Sequence, residues 1–211
     1  MSSGPACEAT PSTQPTDPSG FPGSRVVLGT PEIARALTRI AHEILERNPR
    51  DPAPALVGIH RRGAFLAKRL HMLLEQLLDA EVPLGDLDIG FYRDDVGTRP
   101  DAPVLHASHI DFDITGLTVV IVDDVLFTGR TVRAAIEALF DYGRPDRVQL
   151  AVLADRGHRE LPIRPDYVGK NLPTSRAEHV HVRLRELDGL DEVAISAGAG
   201  PLAPAVMEAS A

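Results

Sequence analysis

Two adjacent carboxylates, Asp123 and Asp124, stand at the end of a run of four β-branched apolar residues, Val119–Val122. A short turn with a Thr-Gly-Arg-Thr sequence at residues 128–131 follows, and apolar side chains then recur at helical spacing. This pattern predicts a buried strand, an acidic tip, a loop and a helix. In open α/β sheets, ligands bind beyond the carboxyl ends of the strands, where such a tip lies.

The acidic tip and the loop suit the two ends of a phosphorylated sugar. Ionised carboxylates only accept hydrogen bonds, so two neighbours can hold vicinal hydroxyls or a hydrated Mg²⁺. Thr128–Thr131 stand at a helix N-terminus, where free N–H groups and the helix dipole favour a phosphate. The alternative is a buried strand in which Asp124 only caps the next helix. The combination of acids, loop and helix favours sugar-phosphate binding.

A second candidate anion site lies earlier in the chain. Residues 55–59 predict a short buried strand, and residues 64–79 predict a helix. Four residues separate the two patterns: His60, Arg61, Arg62 and Gly63. A strand, a basic turn that contains glycine and a helix together form a concavity that binds anions.

Length and composition indicate one domain between two loose ends. The 211 residues can enclose a sizeable core, and no apolar run approaches the roughly 20 residues that span a membrane. Residues 1–24 and 196–211 carry few large apolar side chains, which predicts disordered tails around a domain at residues 25–195. Because no signal peptide is visible and the single cysteine cannot form an internal disulfide, we expect a cytoplasmic protein.

The charge is unevenly distributed. The net charge of −8 argues against indiscriminate nucleic-acid binding through a broad basic surface. Residues 156–176 nevertheless contain five Lys or Arg side chains against two acidic ones. A local basic patch is therefore expected inside an acidic protein.

Alternating strand and helix patterns predict a doubly wound α/β fold. An apolar stripe predicts a helix over residues 31–47, with Thr30 as its N-cap and Pro31 at its first position. Three further strands are predicted at residues 87–92, 147–155 and 179–184. The strand–helix order is that of a mostly parallel sheet with helices on its faces. The long polar stretch after Tyr92 predicts an extended hairpin or a lid.

The acidic tip and its loop resemble the phosphoribosyl-pyrophosphate (PRPP) signature of type I phosphoribosyltransferases. The residues that match are Val119, Val120, Ile121, Val122, Asp123, Asp124, Val125, Leu126, Phe127, Thr128, Gly129, Arg130 and Thr131. The resemblance implies that the acids hold the ribose hydroxyls, that the Thr-Gly-Arg-Thr loop surrounds the 5′-phosphate, and that Mg²⁺ accompanies PRPP without a direct protein ligand.

Two further segments resemble parts of the same superfamily. Residues 60–63 resemble the pyrophosphate loop, with Arg61 where relatives usually carry threonine, and Arg62 is then a candidate catalytic residue beside Asp123 and Asp124. A second segment matches the start of the flexible loop that closes over PRPP, and it comprises Tyr92, Arg93, Asp94 and Asp95.

Residues 26–195 are similar to one branch of the superfamily, the PyrR family of pyrimidine-operon regulators that also act as uracil phosphoribosyltransferases. The similarity rests on residues 36–43, 92–95, 143–145 and 149–153, and on a hood expected at residues 155–176. It implies the type I phosphoribosyltransferase fold: a central, mostly parallel sheet flanked by helices, with a small hood and a flexible loop.

The same resemblance implies the ligands: PRPP, uracil, UMP or UTP, a pyr mRNA leader stem-loop, and further copies of the chain in a homo-oligomer. The residues that match the family's RNA contacts are Thr38, His42, Arg159, Arg164 and Lys170. The alternative for Thr38 and His42 is a solvated helix face, and for the basic patch it is a salt-bridged contact with a neighbouring subunit.

Two functional hypotheses therefore remain open together. The chain is an enzyme that makes UMP, an RNA-binding regulator that senses uridine nucleotides in the same pocket, or both. A uracil salvage enzyme without an RNA role is an alternative to the combined function. A transferase for a purine base is a further alternative, which the similarity of the hood disfavours.

Overall fold

The computed structural model describes residues 24–49, 52–90, 92 and 108–198. Helices and strands follow one another along the chain. They are β1 (Ser24–Gly29), α1 (Thr30–Arg47), β2 (Ala55–Ile59), α2 (Arg62–Leu78), β3 (Leu84–Leu87), β4 (Thr118–Leu126), α3 (Arg130–Leu139), a 3₁₀ turn (Phe140–Tyr142), β5 (Arg147–Asp155), β6 (Tyr167–Asn171), β7 (His179–Arg183), α4 (Arg185–Asp188) and β8 (Glu192–Ser196).

The main sheet has five strands in the order β3-β2-β4-β5-β6, and every neighbouring pair is parallel. This order confirms the predicted doubly wound α/β fold. The strands predicted at residues 55–59 and 147–155 are confirmed as β2 and β5. β4 lies in the middle of the sheet, so its carboxyl end has neighbours on both sides.

The apolar run of β4 is continuous because both faces of the sheet are covered. Val120 and Val122 belong to the core that contains side chains of α1 and α2. Val119 and Ile121 belong to the core on the other face, which contains side chains of α3. All four side chains are buried, so β4 can shift in neither direction without exposing apolar surface.

Helix α1 buries the predicted apolar stripe, and the side chains of Ile33, Leu37, Ile40 and Ile44 are inaccessible or nearly so. Its start differs from the prediction by one residue. Gly29 is the N-cap, and Thr30 is already helical. The Glu32 carboxylate accepts a hydrogen bond from the Gly29 N–H at 3.1 Å, so Glu32 caps the first turn in place of a threonine hydroxyl.

A second sheet is antiparallel and has three strands in the order β1-β8-β7. Val182, Val193 and Ile195 of this sheet pack into the same core as α1 and α2. We call this sheet together with α4 the hood. The prediction of a hood at residues 155–176 was wrong, because β6 within that stretch is an edge strand of the main sheet.

Two other expectations need correction. The strand predicted at residues 87–92 lies earlier in the chain, at Leu84–Leu87 (β3), and only Leu87 is common to both. The strand predicted at residues 179–184 ends at Arg183 and is not the last one, since β8 follows it. Apart from Ser24 and residues 196–198, the predicted tails lie outside the described residues, as do Arg93, Asp94 and Asp95. In the described part of the chain, no helix has the length and apolar character needed to cross a membrane.

Candidate functional site

Asp123 and Asp124 lie within β4, near its carboxyl end. Asp123 is 6% exposed and Asp124 is partly buried. The Asp124 N–H donates to Asp123 Oδ1 at 2.9 Å, and the Val125 N–H donates to Asp124 Oδ1 at 2.8 Å. Burial raises the pKa of Asp124, while the Val125 N–H and the positive charge of Arg62 act in the opposite direction. The two carboxylates are thus held in place by the backbone before any ligand arrives.

The loop after β4 leads directly into α3. Gly129 is the N-cap of α3 with φ +95°, a left-handed conformation that favours glycine. The carbonyl oxygen of Thr128 accepts hydrogen bonds from the N–H groups of Glu160 and Leu161 at 3.0 and 3.2 Å. The segment after β5 therefore supports the loop through these hydrogen bonds. The amino end of α3 is where the sequence predicts that an anion binds.

Arg130 makes a further contact with the segment after β5, at the protein surface. Its Nε donates to Glu160 Oε2 at 3.0 Å, and both side chains are largely exposed. A pair of this kind contributes little to stability, since water screens it. It does hold the Arg130 side chain beside the loop that is predicted to bind phosphate.

The turn between β2 and α2 lies against the acidic pair, because Gly63 packs on β4. A Cβ on Gly63 would lie 2.4 Å from the carbonyl oxygen of Val122 and 3.2 Å from the Cα of Asp123. Only glycine permits this approach. The amino end of α2 therefore carries Arg62 close to Asp124, whose pKa responds to its charge. Arg61, by contrast, is exposed.

Arg62 forms an ion pair with Asp188 of the hood. Its Nη2 donates to both carboxylate oxygens of Asp188, at 3.1 and 3.2 Å. Its Nε is buried and has no hydrogen-bond partner among the described residues. Arg69, two turns further along α2, donates to Glu186 at 2.9 and 2.6 Å and to Asp191 at 2.7 Å. Two arginines of α2 thus hold the segment around α4.

His60, at the start of the same turn, is tied to β3. Its Nε2 lies 2.5 Å from Asp86 Oδ1, and its N–H donates to the carbonyl oxygen of Leu87 at 3.0 Å. His109 Nδ1 lies 3.3 Å from the same Asp86 oxygen. The Asp86 carboxylate therefore contacts both His60 of the predicted pyrophosphate loop and His109, which lies after the predicted flexible loop.

Tyr92 is the part of the predicted flexible loop that the structure describes. Its hydroxyl donates to Asp141, which follows α3, and its N–H donates to the carbonyl oxygen of Ile89 at 2.9 Å. The hydrogen bond to Asp141 raises the pKa of the Tyr92 hydroxyl above its ordinary value. The start of this segment is therefore attached near the end of α3.

Four of the five predicted RNA contacts are exposed. Thr38 and His42 lie one turn apart on α1, and Arg164 and Lys170 are exposed further along the chain. Arg39, between the first two, donates to the carbonyl oxygens of Val168 and Gly169 at 3.0 and 2.6 Å. The structure thus places α1 next to β6. Thr38 and His42 of α1 therefore lie near the strand that contains Lys170.

Arg159 differs from the other four. Its side chain is 22% exposed and its Nη2 pairs with Asp155 at 2.6 Å. Nη1 donates to the carbonyl oxygen of Phe127 at 2.8 Å, and Nε donates to that of Ile163 at 3.0 Å. Most of its donors are therefore engaged inside the loop after β5. The neighbouring His158 has its Nε2 2.6 Å from the carbonyl oxygen of Thr174 and packs edge-on against Phe127.

The sequence did not single out Asp86, Asp188 or Arg69. Each lies far along the chain from its partner, and no spacing rule joins residues 62 and 188. The only available signal for Asp188 was the cluster of acids after β7. A cavity of about 490 Å³, lined in part by Arg47, Thr118 and Arg147, lies at the amino ends of the strands and hence away from Asp123.

Comparison with known proteins places this chain in a family. Residues 25–187 match the model of the phosphoribosyl transferase domain. The chain is 62% identical over 167 residues to a "Bifunctional protein PyrR" of Roseiflexus sp. (strain RS-1), covering 79% of this chain and 91% of that one. It is 54% identical over 174 residues to the protein of the same name from Halalkalibacterium halodurans, covering 82% and 97% of the two chains.

Solved structures agree on the fold. The hypoxanthine phosphoribosyltransferase of Trypanosoma cruzi superposes with a TM-score of 0.62 at 20% identity, over 83% of this chain and 98% of that one. A hypoxanthine phosphoribosyltransferase from Staphylococcus aureus gives a TM-score of 0.60 at 20% identity, over 83% and 93% of the two chains. The type I phosphoribosyltransferase fold and the family expected from the similarity of residues 26–195 are both confirmed: the chain is a phosphoribosyltransferase that belongs to the PyrR family.

Proposed function

We propose that the chain transfers the phosphoribosyl group of PRPP to uracil, forming UMP and diphosphate, and that it also binds a pyr mRNA leader in a manner that depends on uridine nucleotides. The observation that supports this proposal most strongly is that Arg62 lies close to Asp123 and Asp124 at the carboxyl end of β4. The high identity to proteins named bifunctional supports both halves.

PRPP would lie across the end of the sheet. Asp123 and Asp124 accept hydrogen bonds from the ribose hydroxyls, and the amino end of α3 from Thr128 to Thr131 holds the 5′-phosphate. Arg62 and the backbone of residues 60–63 receive the diphosphate. The rest of the matched signature, Val119–Val122 and Val125–Phe127, supports these groups from within and after β4.

The reaction exchanges two bonds at C1 of the ribose. A bond forms from uracil N1 to C1, the bond from C1 to the diphosphate oxygen breaks, and the proton of N1 leaves. Positive charge develops on the ribose, so the fixed carboxylates stabilise it and the Arg62 guanidinium stabilises the charge of the leaving group. The loop that begins at Tyr92 and continues through Arg93, Asp94 and Asp95 would exclude water from the reacting sugar.

Mg²⁺ fits this donor set. The adjacent carboxylates of Asp123 and Asp124 are hard ligands of the kind that Mg²⁺ or its bound waters prefer, and an ion held there would neutralise charge on the diphosphate. Within the described ranges, no group of three or more His, Cys, Asp or Glu side chains is arranged to hold a metal ion. The role that we propose for the ion is to bind together with the substrate.

The proposed RNA surface is formed by α1 and the segment after β5. Thr38, His42 and Lys170 lie where Arg39 joins α1 to β6. Cationic side chains such as Lys170 and Arg164 contact phosphates, while Thr38 and His42 contact bases of an unpaired loop. Arg159 belongs to the same proposal through its sequence match, although its donors serve the loop around Phe127. Assembly into a homo-oligomer and a cytoplasmic location complete the proposal.

The decisive experiment measures both activities on one preparation. UMP formation from uracil and PRPP, compared with hypoxanthine and adenine as acceptors, tests the enzyme. A gel shift with a pyr leader stem-loop, with and without UMP, tests the regulator. UMP formation without a nucleotide-dependent shift would support the salvage enzyme, and turnover with hypoxanthine or adenine in place of uracil would contradict the proposed acceptor.

A further inference from the structure

The hood carboxylate Asp188 is fixed more firmly than a surface acid would be. Its Oδ2 accepts a hydrogen bond from the Leu184 N–H at 2.9 Å, and its own N–H donates to the Leu184 carbonyl oxygen at 2.7 Å. The surrounding segment is anchored to α2, because Arg69 binds Glu186 and Asp191. Asp188 is therefore a rigid acceptor rather than a mobile counter-ion.

The Asp188 carboxylate accepts hydrogen bonds from only one nitrogen of the Arg62 guanidinium. Nη2 donates to both Asp188 oxygens, at 3.1 and 3.2 Å, and no hydrogen bond of Nε or Nη1 occurs among the described residues. Nε is nevertheless buried, and a buried donor without a partner requires an explanation. A guanidinium presents its donors in a rigid plane, so fixing Nη2 also fixes the orientation of the others.

The remaining donors stand beside the acidic pair. Arg62 precedes Gly63, which packs on the backbone of Val122 and Asp123, and its Nη2 binds Asp188 of the hood, so the guanidinium lies between the end of β4 and the hood. In the proposed function, the diphosphate of PRPP comes to this place. An anion there would satisfy the buried Nε.

We propose that Asp188 is a positioning residue for the donor substrate: it holds Nη2 of Arg62 so that Nε and Nη1 bind the diphosphate of PRPP. This inference rests on the proposed binding of PRPP and adds a hood residue to it. In the alternative role, Asp188 competes with the diphosphate for Arg62 and must be displaced before PRPP binds. The two roles predict effects of opposite sign.

Binding of PRPP with Mg²⁺ to the full chain, measured by titration calorimetry, separates them. Asp188→Asn keeps an acceptor for the Leu184 N–H but loses the charged acceptor for Nη2. We expect PRPP binding to weaken about tenfold, which is about 1.4 kcal/mol. Charge alone would act the other way, since removing a carboxylate favours an anion. Weaker binding therefore identifies positioning, and unchanged or tighter binding would overturn it.

Glu186→Gln is the matched control. It loosens the same segment through Arg69 and leaves Arg62 untouched, so PRPP should bind within about twofold of the wild-type affinity. If Glu186→Gln weakens binding as much as Asp188→Asn, the effect comes from the mobility of the hood and the proposal fails.

A double-mutant cycle tests whether Asp188 acts through Arg62. In an Arg62→Ala background, Asp188→Asn should have no further effect on PRPP binding, because the pair is already broken. Additive losses would contradict the proposal. If Asp188→Asn does not fold, Arg62→Lys tests the same geometry, since one ammonium cannot reproduce the guanidinium fork, and wild-type PRPP affinity in that variant would refute it.

UMP formation is measured separately on the same proteins. A wild-type chain that binds PRPP but makes no UMP contradicts the proposed enzyme and leaves the role of Asp188 to be decided by calorimetry. A chain that makes UMP, with PRPP affinity unchanged by Asp188→Asn, contradicts the role of Asp188 alone.

Discussion

Replacing Gly63 by alanine tests how closely α2 must approach β4. The added Cβ would lie 2.4 Å from the carbonyl oxygen of Val122. A carbon and a carbonyl oxygen rarely come closer than about 3.3 Å, so the amino end of α2 must retreat by roughly 1 Å. Both neighbours of the new methyl are backbone, so a side-chain rotation cannot relieve the clash. The whole turn that carries Arg62 must move.

Two effects of this movement can be measured. Overpacking in a core of this kind lowers the free energy of unfolding by about 1–3 kcal/mol. A displacement of about 1 Å between Arg62 and the acidic pair should lower kcat/KM for UMP formation by about 100-fold. Urea denaturation measures the first effect, and initial rates at varied PRPP and saturating uracil measure the second.

Gly116→Ala is the matched control. Gly116 has φ +78°, and a Cβ there would meet nothing within 4 Å. The left-handed conformation alone should destabilise this variant by about 1–2 kcal/mol. Because Gly116 precedes β4 at the amino end of the sheet, kcat/KM should stay within about twofold of wild type. Wild-type kcat/KM in Gly63→Ala, or an equal loss in Gly116→Ala, would refute the reasoning.

Three further predictions concern charge. Asp123→Asn should lower UMP formation by about 100-fold while RNA binding in a gel shift stays at the wild-type level, because a neutral amide no longer stabilises the positive ribose; unchanged turnover would remove Asp123 from the mechanism. Lys170→Ala should weaken binding of the leader RNA and reduce its salt dependence by about one unit of slope without changing UMP formation, with exposed Lys68 on α2 as the control substitution. Burial pushes the pKa of Asp191 upward, but the hydrogen bonds from Arg69 and the Arg185 N–H outweigh it and hold the pKa below its ordinary value of 3.8. Since the folded pKa is lowered, this carboxylate stabilises the fold above about pH 3.8 and loses that effect as the pH falls through the folded value. Asp191→Asn should therefore unfold about 2 kcal/mol more easily in urea at pH 7, with a difference that shrinks below pH 4, and a constant difference at all pH values would be inconsistent with this ionisation.

Local patterns were sufficient for the elements that carry the site. The apolar run of β4, the helical spacing after Arg130 and the basic turn after β2 each lie within about twenty neighbouring residues, and their periodicity reports which side is buried. The capping of α1 was misassigned because Thr30 is a common N-cap, whereas the Glu32 carboxylate performs that role through the Gly29 N–H.

Non-local pairing caused the larger errors. β1 and β8 lie at opposite ends of the described chain, yet Ser24 pairs with Ser196 and Arg25 with Ile195. Neither strand carries a long alternating pattern, so its partner determines it. The hood was therefore expected after β5, at residues 155–176, instead of at the two ends of the domain.

The sequence alone determined which groups stand together at the end of β4. A pair of acids, a Thr-Gly-Arg-Thr loop and a helix start are consecutive, so their relative placement follows from the geometry of one strand and one helix. The tertiary structure decided what surrounds that pair. It brings Gly63 onto the backbone of Val122, sets Arg62 against Asp188 across more than a hundred residues, and encloses Arg159 in the loop behind Phe127. These contacts join residues that are far apart in the chain without any regular spacing. Only the packing of α2, the hood and the loop after β5 around the sheet produces them.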